Sequence, residues 1–442
     1  MTDRQAATAS KSIGSSPSRW NAGRNVLGAV LLLLALLLPW NVRFGFGIDG
    51  SNTIAYVVLV AVTVMSLASI FVNAANVRLL LNIGYLLFVG FIVVGDTVFS
   101  VIFGAVDTIP PGVGPGAWIG VAGALLCAQP TLVDVVDDAT RRRWFSASRV
   151  IGFLALAVGV QSFLFNMFWR VRSLGSEAAV GAGGAQQAGF VASAAVYGLM
   201  SLAAVVIAAA WMIKNTDASR LAVTGLGAAT LVTALVVWAS DSGLGIVPFR
   251  GAVNNTTAGI GFQGYLLWAA AAAIVGPLTL RNALSGKTVD TATWREALRF
   301  CLLLIGVWSI GQIAVRIVYL ALAAAGDVSL AAGITATLIV VNVAIAALAL
   351  WMRAHLKSTA VTTVIVILFG ALFALTDARL AAEIVLTASH VTATFHVVLC
   401  ILALLAAAAA LRLRQIDAIA AAEDIPAPRA TSAPKIVGAA SK

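Results

Sequence analysis

The 442-residue chain is 61% hydrophobic and only 10% charged, with a formal net charge of +10. Soluble domains are roughly half apolar and about a quarter charged, so this composition excludes an ordinary soluble domain and predicts an integral membrane protein. The basic residues lie in short segments between apolar runs rather than on one face, which excludes nucleic acid as a partner. Three cysteines, each within an apolar run, predict neither a disulfide framework nor a zinc site.

Twelve apolar runs are long enough to cross a bilayer as helices, since a hydrocarbon core of about 30 Å needs roughly 20 residues. Lipid offers no partner to a free backbone amide, and no alternating segments of the kind found in barrels occur. We therefore predict an all-α, polytopic membrane protein with about twelve transmembrane helices. The runs are 25–41, 53–73, 79–103, 116–133, 149–169, 189–213, 221–239, 262–280, 299–324, 329–352, 359–376 and 388–411.

A short pattern, W-x4-G-x-G-I, follows two of these runs, at Trp40–Ile48 and at Trp238–Ile246. One interpretation is a duplication, which would give two parallel six-helix halves. The other is chance, because tryptophan commonly anchors helices at membrane interfaces and glycine commonly caps them. The predicted organisation is a disordered cytoplasmic tail at 1–24, a first half at 25–213, a linker at 214–220, a second half at 221–411 and a largely disordered cytoplasmic tail at 412–442.

The positions of Lys and Arg predict the orientation. With a cytoplasmic N-terminus, 22 of the 28 basic residues fall in inner segments, and every inner segment carries at least one. The remaining six are Arg43, Arg170, Arg172, Arg250 and Arg379 in outer segments and Arg316 within a run. We therefore expect both termini to be cytoplasmic.

The fourth run contains Gly116, Gly120 and Gly123, which give one face of a helix a smooth surface for close packing. Pro130 and Pro277 lie near the predicted inner ends of helices. A helix terminus or a kink is expected at each proline, because proline lacks an N–H and clashes with the preceding turn.

Two charged residues, Asp96 and Arg316, lie at membrane depth, where a charge is costly. Asp96 lies roughly 27 Å of helix beyond Arg78, and Arg316 lies roughly 26 Å beyond Arg299. Asp96 and Arg316 are therefore expected at similar depths in the membrane. Three interpretations stay open: a structural ion pair between the halves, a functional ion pair, or separate snorkelling to the outer headgroups. Gln312 lies one turn before Arg316, where it can hold the guanidinium or a ligand.

His396 lies in the middle of the twelfth run. It is a candidate for proton relay because histidine titrates near physiological pH, and the alternative is a neutral side chain bonded to a backbone carbonyl. Gln161 and Asn166 of the fifth run are candidates for a polar lining. The candidate intramembrane site consists of Asp96, Gln161, Gln312, Arg316 and His396.

No P-loop, HExxH, GxSxG or Ser/Lys dyad occurs in a suitable context, so we predict that the protein is not an enzyme. We expect no cofactor and no metal. Asp134, Asp137 and Asp138 precede an arginine run and are interpreted as loop and helix-cap residues.

The segments Leu38–Gly45 and Pro110–Pro130 resemble a group of uncharacterised polytopic membrane proteins of actinobacteria. The Ala- and Val-rich composition fits a high-GC genome. That group has no assigned activity, so the resemblance implies membrane topology and no substrate.

From these observations we expect a multi-pass protein of the bacterial inner membrane that acts as a transporter-like permease without an ATPase of its own. The expected partners are the lipid bilayer and a small solute or lipid ligand. The alternative is a non-catalytic scaffold of the cell envelope, which would bind a protein partner through its outer Gly- and Pro-rich loops.

Overall fold

The protein is described by a computed structural model, and its described residues form twelve α-helices, one single-turn 3-10 helix at Ser69–Phe71 and no strand, which confirms the predicted all-α fold. The structure describes residues 17–38, 40, 53–103, 114–131, 138–173, 184–240, 257–284, 291–324, 332–356, 363–387 and 390–423. The helices are α1 (Pro17–Ala35), α2 (Thr53–Ala68), α3 (Ala75–Phe103), α4 (Pro115–Ala128), α5 (Asp138–Ser173), α6 (Gly184–Lys214), α7 (Asp217–Ser240), α8 (Thr257–Leu284), α9 (Thr291–Ala324), α10 (Ala332–His355), α11 (Thr363–Thr387) and α12 (His390–Glu423).

Ten of the described helices, all except α1 and α4, are long and apolar enough to cross a membrane. Large apolar side chains remain exposed on the surface of the bundle, including Phe71 at 88%, Ile54 at 79% and Phe91 at 72%. A surface of this kind is stable against lipid and unstable against water. The chain is therefore a multi-pass membrane protein.

The helices at both ends of the chain are longer than the sequence predicted. α1 begins at Pro17 and α12 runs to Glu423, so residues 17–24 and 412–423, predicted as parts of disordered tails, are helical. The hydropathy of a window marks the part of a helix that lies in lipid and misses the polar turns beyond it. Residues 1–16 and 424–442 lie outside the described residues.

Consecutive helices pair along the chain, with α5 against α6, α7 against α8, α9 against α10 and α11 against α12. The α5–α6 pair then packs on α8 and α9, across the predicted linker at 214–220. Within the described ranges, α1 packs on α4, whereas the corresponding α7 and α10 make no comparable contact. The duplication and its boundaries therefore stay predictions, and most of both W-x4-G-x-G-I segments lies outside the described residues.

α4 is the shortest of the described α-helices and lies wholly inside the protein. Its 14 residues are all buried, and at 1.5 Å per residue it measures about 21 Å, less than the roughly 30 Å hydrocarbon core. The helix ends at Ala128 because Gln129 has an extended backbone and Pro130 follows. The predicted fourth span, 116–133, is thus shorter than expected, and its last carbonyl groups need partners inside the protein.

Two buried arginines supply those partners. Arg78 Nε donates to the carbonyl of Cys127 at 3.0 Å, and Arg24 Nη1 donates to the carbonyl of Pro130 at 2.6 Å. The Oδ1 atom of Asn25 accepts hydrogen bonds from both guanidinium groups. Both cations also lie at the negative end of the dipole of α4. They were predicted to lie between spans, and instead belong to α1 and α3, because each helix begins before its apolar run.

The glycine face of α4 packs closely, as predicted. A Cβ atom on Gly123 would lie 2.9 Å from the carbonyl oxygen of Gly28 in α1, and a Cβ on Gly116 would lie 2.5 Å from the ring of Trp40. Trp40 is fully buried and its Nε1 donates to the carbonyl of Ala35 at 2.7 Å. This tryptophan is thus a packing residue and not an interfacial anchor.

Gln129, the residue directly after α4, joins this helix to α8. Pro277 lies inside α8 and has no N–H, so the carbonyl of Ala273 loses its helical donor. Gln129 Nε2 donates to that carbonyl at 2.5 Å and to the carbonyl of Ile274 at 3.2 Å. The side chain of Gln129 therefore replaces the donor that the proline removes.

We predict that Gly123→Ala lowers the thermal stability of the protein by about 1–3 kcal/mol, because the new methyl group meets the backbone of α1. Gly90→Ala is the matched control, since a Cβ at this helical glycine meets nothing within 4 Å. Thermal unfolding in detergent measures both. Equal midpoints for the two variants would contradict the close packing of α1 and α4.

We also predict that Gln129→Leu destabilises the protein by about 1–3 kcal/mol, the cost of an unsatisfied buried carbonyl. Pro277→Ala restores an N–H to α8, so Gln129→Leu should cost less in that background. A double-mutant cycle measures the difference. Purely additive effects would show that Gln129 does not compensate for the proline.

Candidate functional site

One face of α9 is polar where the helix is buried. Ser309, Gln312 and Arg316 follow one another at spacings of three and four residues, so they lie on the same face. Gln312 is 1% exposed and Arg316 is 8% exposed. Arg316 therefore lies inside the bundle and does not snorkel to the headgroups.

Arg379 lies on the same side of the bundle as this face and was misplaced by the sequence analysis. It was predicted in an outer loop, but it is fully buried within α11. Its Nη1 donates to Asn342 Oδ1 of α10 at 3.3 Å and to Ser309 Oγ of α9 at 3.5 Å. The predicted span ended at residue 376 because Asp377 and Arg379 lower the local hydropathy. Apolar residues resume at Leu380, and this continuation is the sequence signal that could have placed Arg379 within a helix.

His396 of α12 lies beside these arginines. It is fully buried, its ring meets Trp308 edge-on with the centroids 6.1 Å apart, and Arg316 and Arg379 both act on it electrostatically. Within the described part of the chain, neither ring nitrogen has a hydrogen-bond partner. The expected bond to a backbone carbonyl is thus not formed there, and a role in proton relay stays a prediction.

Two further donors, both on α9, also lack acceptors among the residues that the structure describes. They are Trp308 Nε1 and Gln312 Nε2, one turn apart on α9. An unsatisfied donor in an apolar interior is costly, so such groups in native proteins call for an explanation such as a bound water, ion or ligand. Donors beside two guanidinium groups suit an anion or another acceptor-rich solute.

Aromatic rings form one wall of this region. Phe395 of α12 lies between Trp308 of α9, at 4.2 Å between ring centroids, and Trp268 of α8, at 5.7 Å. Tyr265 of α8 continues the row to Trp118 of α4, at 4.8 Å. These rings are buried, and the low dielectric of a buried environment strengthens the electrostatic interactions of the polar groups beside them.

The polar groups share one end of the bundle. Arg316 and Arg379 each lie eight residues before the last residue of their helices, about 12 Å along the axis. His396 lies six residues after the start of α12, about 9 Å, and Asn342 ten residues after the start of α10, about 15 Å. We define Ser309, Gln312, Arg316, Asn342, Arg379 and His396 as the polar cluster.

Two predicted site residues do not join the polar cluster in the described structure. Gln161 is exposed on the surface of α5. Asp96 belongs to α3, but its side chain lies outside the described residues, so its pairing with Arg316 stays a prediction. Among the described residues, no three His, Cys, Asp or Glu side chains are grouped so that they can hold a metal ion.

We predict that His396→Phe leaves the thermal midpoint of the ligand-free protein unchanged or raises it, because phenylalanine fills similar space without two unsatisfied nitrogens. Asn342→Leu is the contrasting control: its Nδ2 bonds the carbonyl of Leu338 and its Oδ1 accepts from Arg379, so its loss should cost about 1–3 kcal/mol. Thermal unfolding in detergent measures both variants. A larger loss for His396→Phe than for Asn342→Leu would show that the histidine has structural partners.

The sequence profile of one family, described as Domain of unknown function (DUF7937), matches residues 21–414. The matched segment contains all twelve described helices except the first turn of α1 and the last turns of α12, and it includes the whole polar cluster. No curated protein and no solved structure matches the chain. The chain belongs to the DUF7937 family.

Proposed function

We propose that the protein is a permease without an ATPase or other catalytic activity, and that its substrate is a small anion held by the polar cluster. The observation that carries this proposal is the set of buried N–H donors on Trp308, Gln312 and His396 that lack acceptors within the described residues. These donors lie beside Arg316 and Arg379, inside a bundle of membrane-spanning helices. Polar groups at membrane depth are costly, and in transporters they commonly mark the path of a solute.

The chemistry of the donors favours an anion over a cation or a sugar. Guanidinium groups bind carboxylate and phosphate oxygens with two parallel hydrogen bonds, and indole and amide N–H groups add further donors. Asn342 and Ser309 hold Arg379 at its Nη1 atom. This contact fixes the direction of the guanidinium group before a ligand arrives, which lowers the cost of binding.

We place the protein in the inner membrane of an actinobacterium with both termini in the cytoplasm. The excess of Lys and Arg in the predicted inner segments supports this orientation. We do not count Arg24, Arg78 and Arg379 as support for this orientation, because they are buried in helices. The alternative proposal, a non-catalytic envelope scaffold, uses the outer loops, most of which lie outside the described residues.

The test is ligand-induced thermal stabilisation of the full chain in detergent, with phosphate, sulfate, bicarbonate, acetate and dicarboxylates as probes. At least one anion should raise the midpoint of the wild-type protein. Gln312→Leu should keep the fold and weaken the binding of that anion by about tenfold or more, because the substitution removes a donor to a charged group. Uptake of the same anion into proteoliposomes then tests transport.

Arg412→Gln is the matched control, since Arg412 is an exposed arginine of α12 outside the polar cluster. It should respond to anions as the wild-type protein does. The proposal is wrong if no anion raises the midpoint, or if Gln312→Leu responds as strongly as the wild type. A stoichiometric partner chain together with no anion response would instead favour the scaffold.

A further inference from the structure

A second region, unrelated to the polar cluster, contains a cavity of about 390 Å³ between α1, α4, α7 and α8. This volume lies within the range of roughly 300–1,000 Å³ that small-molecule sites occupy. Small and aliphatic side chains form most of its wall, including Ala122 and Leu126 of α4, Ala228 of α7, and Ala272 and Gly276 of α8. Such a wall suits an alkyl chain and offers a polar solute almost nothing.

One end of this cavity is cationic. Arg19 and Arg24 of α1 line it beside Trp20, and they are the only charged residues in the described wall. Arg24 is 5% exposed, and its Nε has no hydrogen-bond partner among the described residues, while its other two nitrogens bond Pro130 and Asn25. Arg19 is exposed. A ligand in this cavity therefore meets an apolar interior and a positively charged entrance.

The charged end of the cavity lies at the N-terminal end of α1, where a lipid headgroup would lie. The wall of the cavity uses the N-terminal turns of α1, the middle of α7 and the C-terminal halves of α4 and α8. Tryptophan and arginine are the side chains expected at the boundary between hydrocarbon and headgroups. These groups suit a lipid whose acyl chain lies in the apolar part of the cavity and whose phosphate lies beside the arginines.

We propose that this cavity binds one acyl chain of an anionic phospholipid, with the lipid phosphate held by Arg19 and Arg24. The charge of the entrance selects an anionic headgroup over a zwitterionic one. The cavity is lined by α1, α4, α7 and α8, whereas the residues of the polar cluster belong to α9, α10, α11 and α12. α8 contacts both regions, because its rings lie beside the polar cluster. The proposal does not depend on transport of an anion.

Gly23 allows a direct test. It lines the cavity, and a Cβ atom there meets nothing within 4 Å, so Gly23→Phe can fill the space without a clash in α1. Gly90→Phe is the matched control, because Gly90 is an equally open helical glycine outside the cavity wall. Arg19→Gln removes one charge at the entrance, and Arg149→Gln, an exposed arginine of α5, is its control.

The full chain is assembled into nanodiscs with equal amounts of phosphatidylglycerol and phosphatidylcholine that have identical acyl chains, and native mass spectrometry measures the lipid that stays bound. The wild type, Gly90→Phe and Arg149→Gln should retain one phosphatidylglycerol. Gly23→Phe should lose it, and Arg19→Gln should lower the preference for phosphatidylglycerol about fivefold, the effect of one basic residue near an anionic lipid.

Three results would overturn the proposal. Equal retention of the two lipids by the wild type would show that the arginines do not recognise a phosphate. Retention by Gly23→Phe at the wild-type level would place the bound lipid elsewhere. Equal loss in Gly23→Phe and Gly90→Phe would show that the bulk of the new side chain, and not its position, removes the lipid.

Discussion

The bundle depends on one constraint: each carbonyl group that lipid cannot hydrate needs a donor from the protein. α4 is too short to reach both faces of a membrane and is enclosed by α1, α3 and α8. Arg24 and Arg78 satisfy the carbonyls at its end, and Gln129 satisfies the carbonyl that Pro277 frees in α8. These bonds, together with the ring contact of Trp118 with Tyr265, tie the first helices of the chain to the middle of the bundle.

The same constraint separates a structural polar region from a candidate functional one. Around the end of α4, Arg24 and Arg78 place donors on backbone carbonyls that need them. In the polar cluster, by contrast, Gln312 and His396 present nitrogens that no described acceptor meets. Burial alone does not distinguish the two regions, because both are enclosed. Unsatisfied nitrogens occur in both regions, since Arg24 Nε and Arg78 Nη1 also lack a described acceptor. The difference is that the two arginines also donate to backbone carbonyls, whereas Gln312 Nε2 and both ring nitrogens of His396 meet no described acceptor. This difference is why we assign the transported ligand to the second region.

The sequence was sufficient for features that depend on local pattern. Hydropathy located the ten described helices that are long and apolar enough to span a membrane. The glycine spacing around Gly123 predicted the close contact of α4 with a neighbour. Polarity within a span pointed to Arg316 and also to Gln161, and only the structure shows that the first is buried and the second exposed. Arg379 was missed because a charged residue ends a hydropathy window whether or not the helix ends there. The partners of Arg78 are distant in sequence, so no local pattern could reveal them.

α8 shows how one helix serves both regions. Tyr265 and Trp268 contribute bulky rings to the wall beside the polar cluster, and five consecutive alanines follow at 269–273 before Gly276 and Pro277. The rings fill the space at one end, whereas methyl groups and a glycine leave the other end open. Trp268 and Pro277 are nine residues apart, about 14 Å along the axis, so the two ends are distinct environments. An empty apolar space forfeits dispersion contacts, and an alkyl chain is the component of a membrane that can restore them.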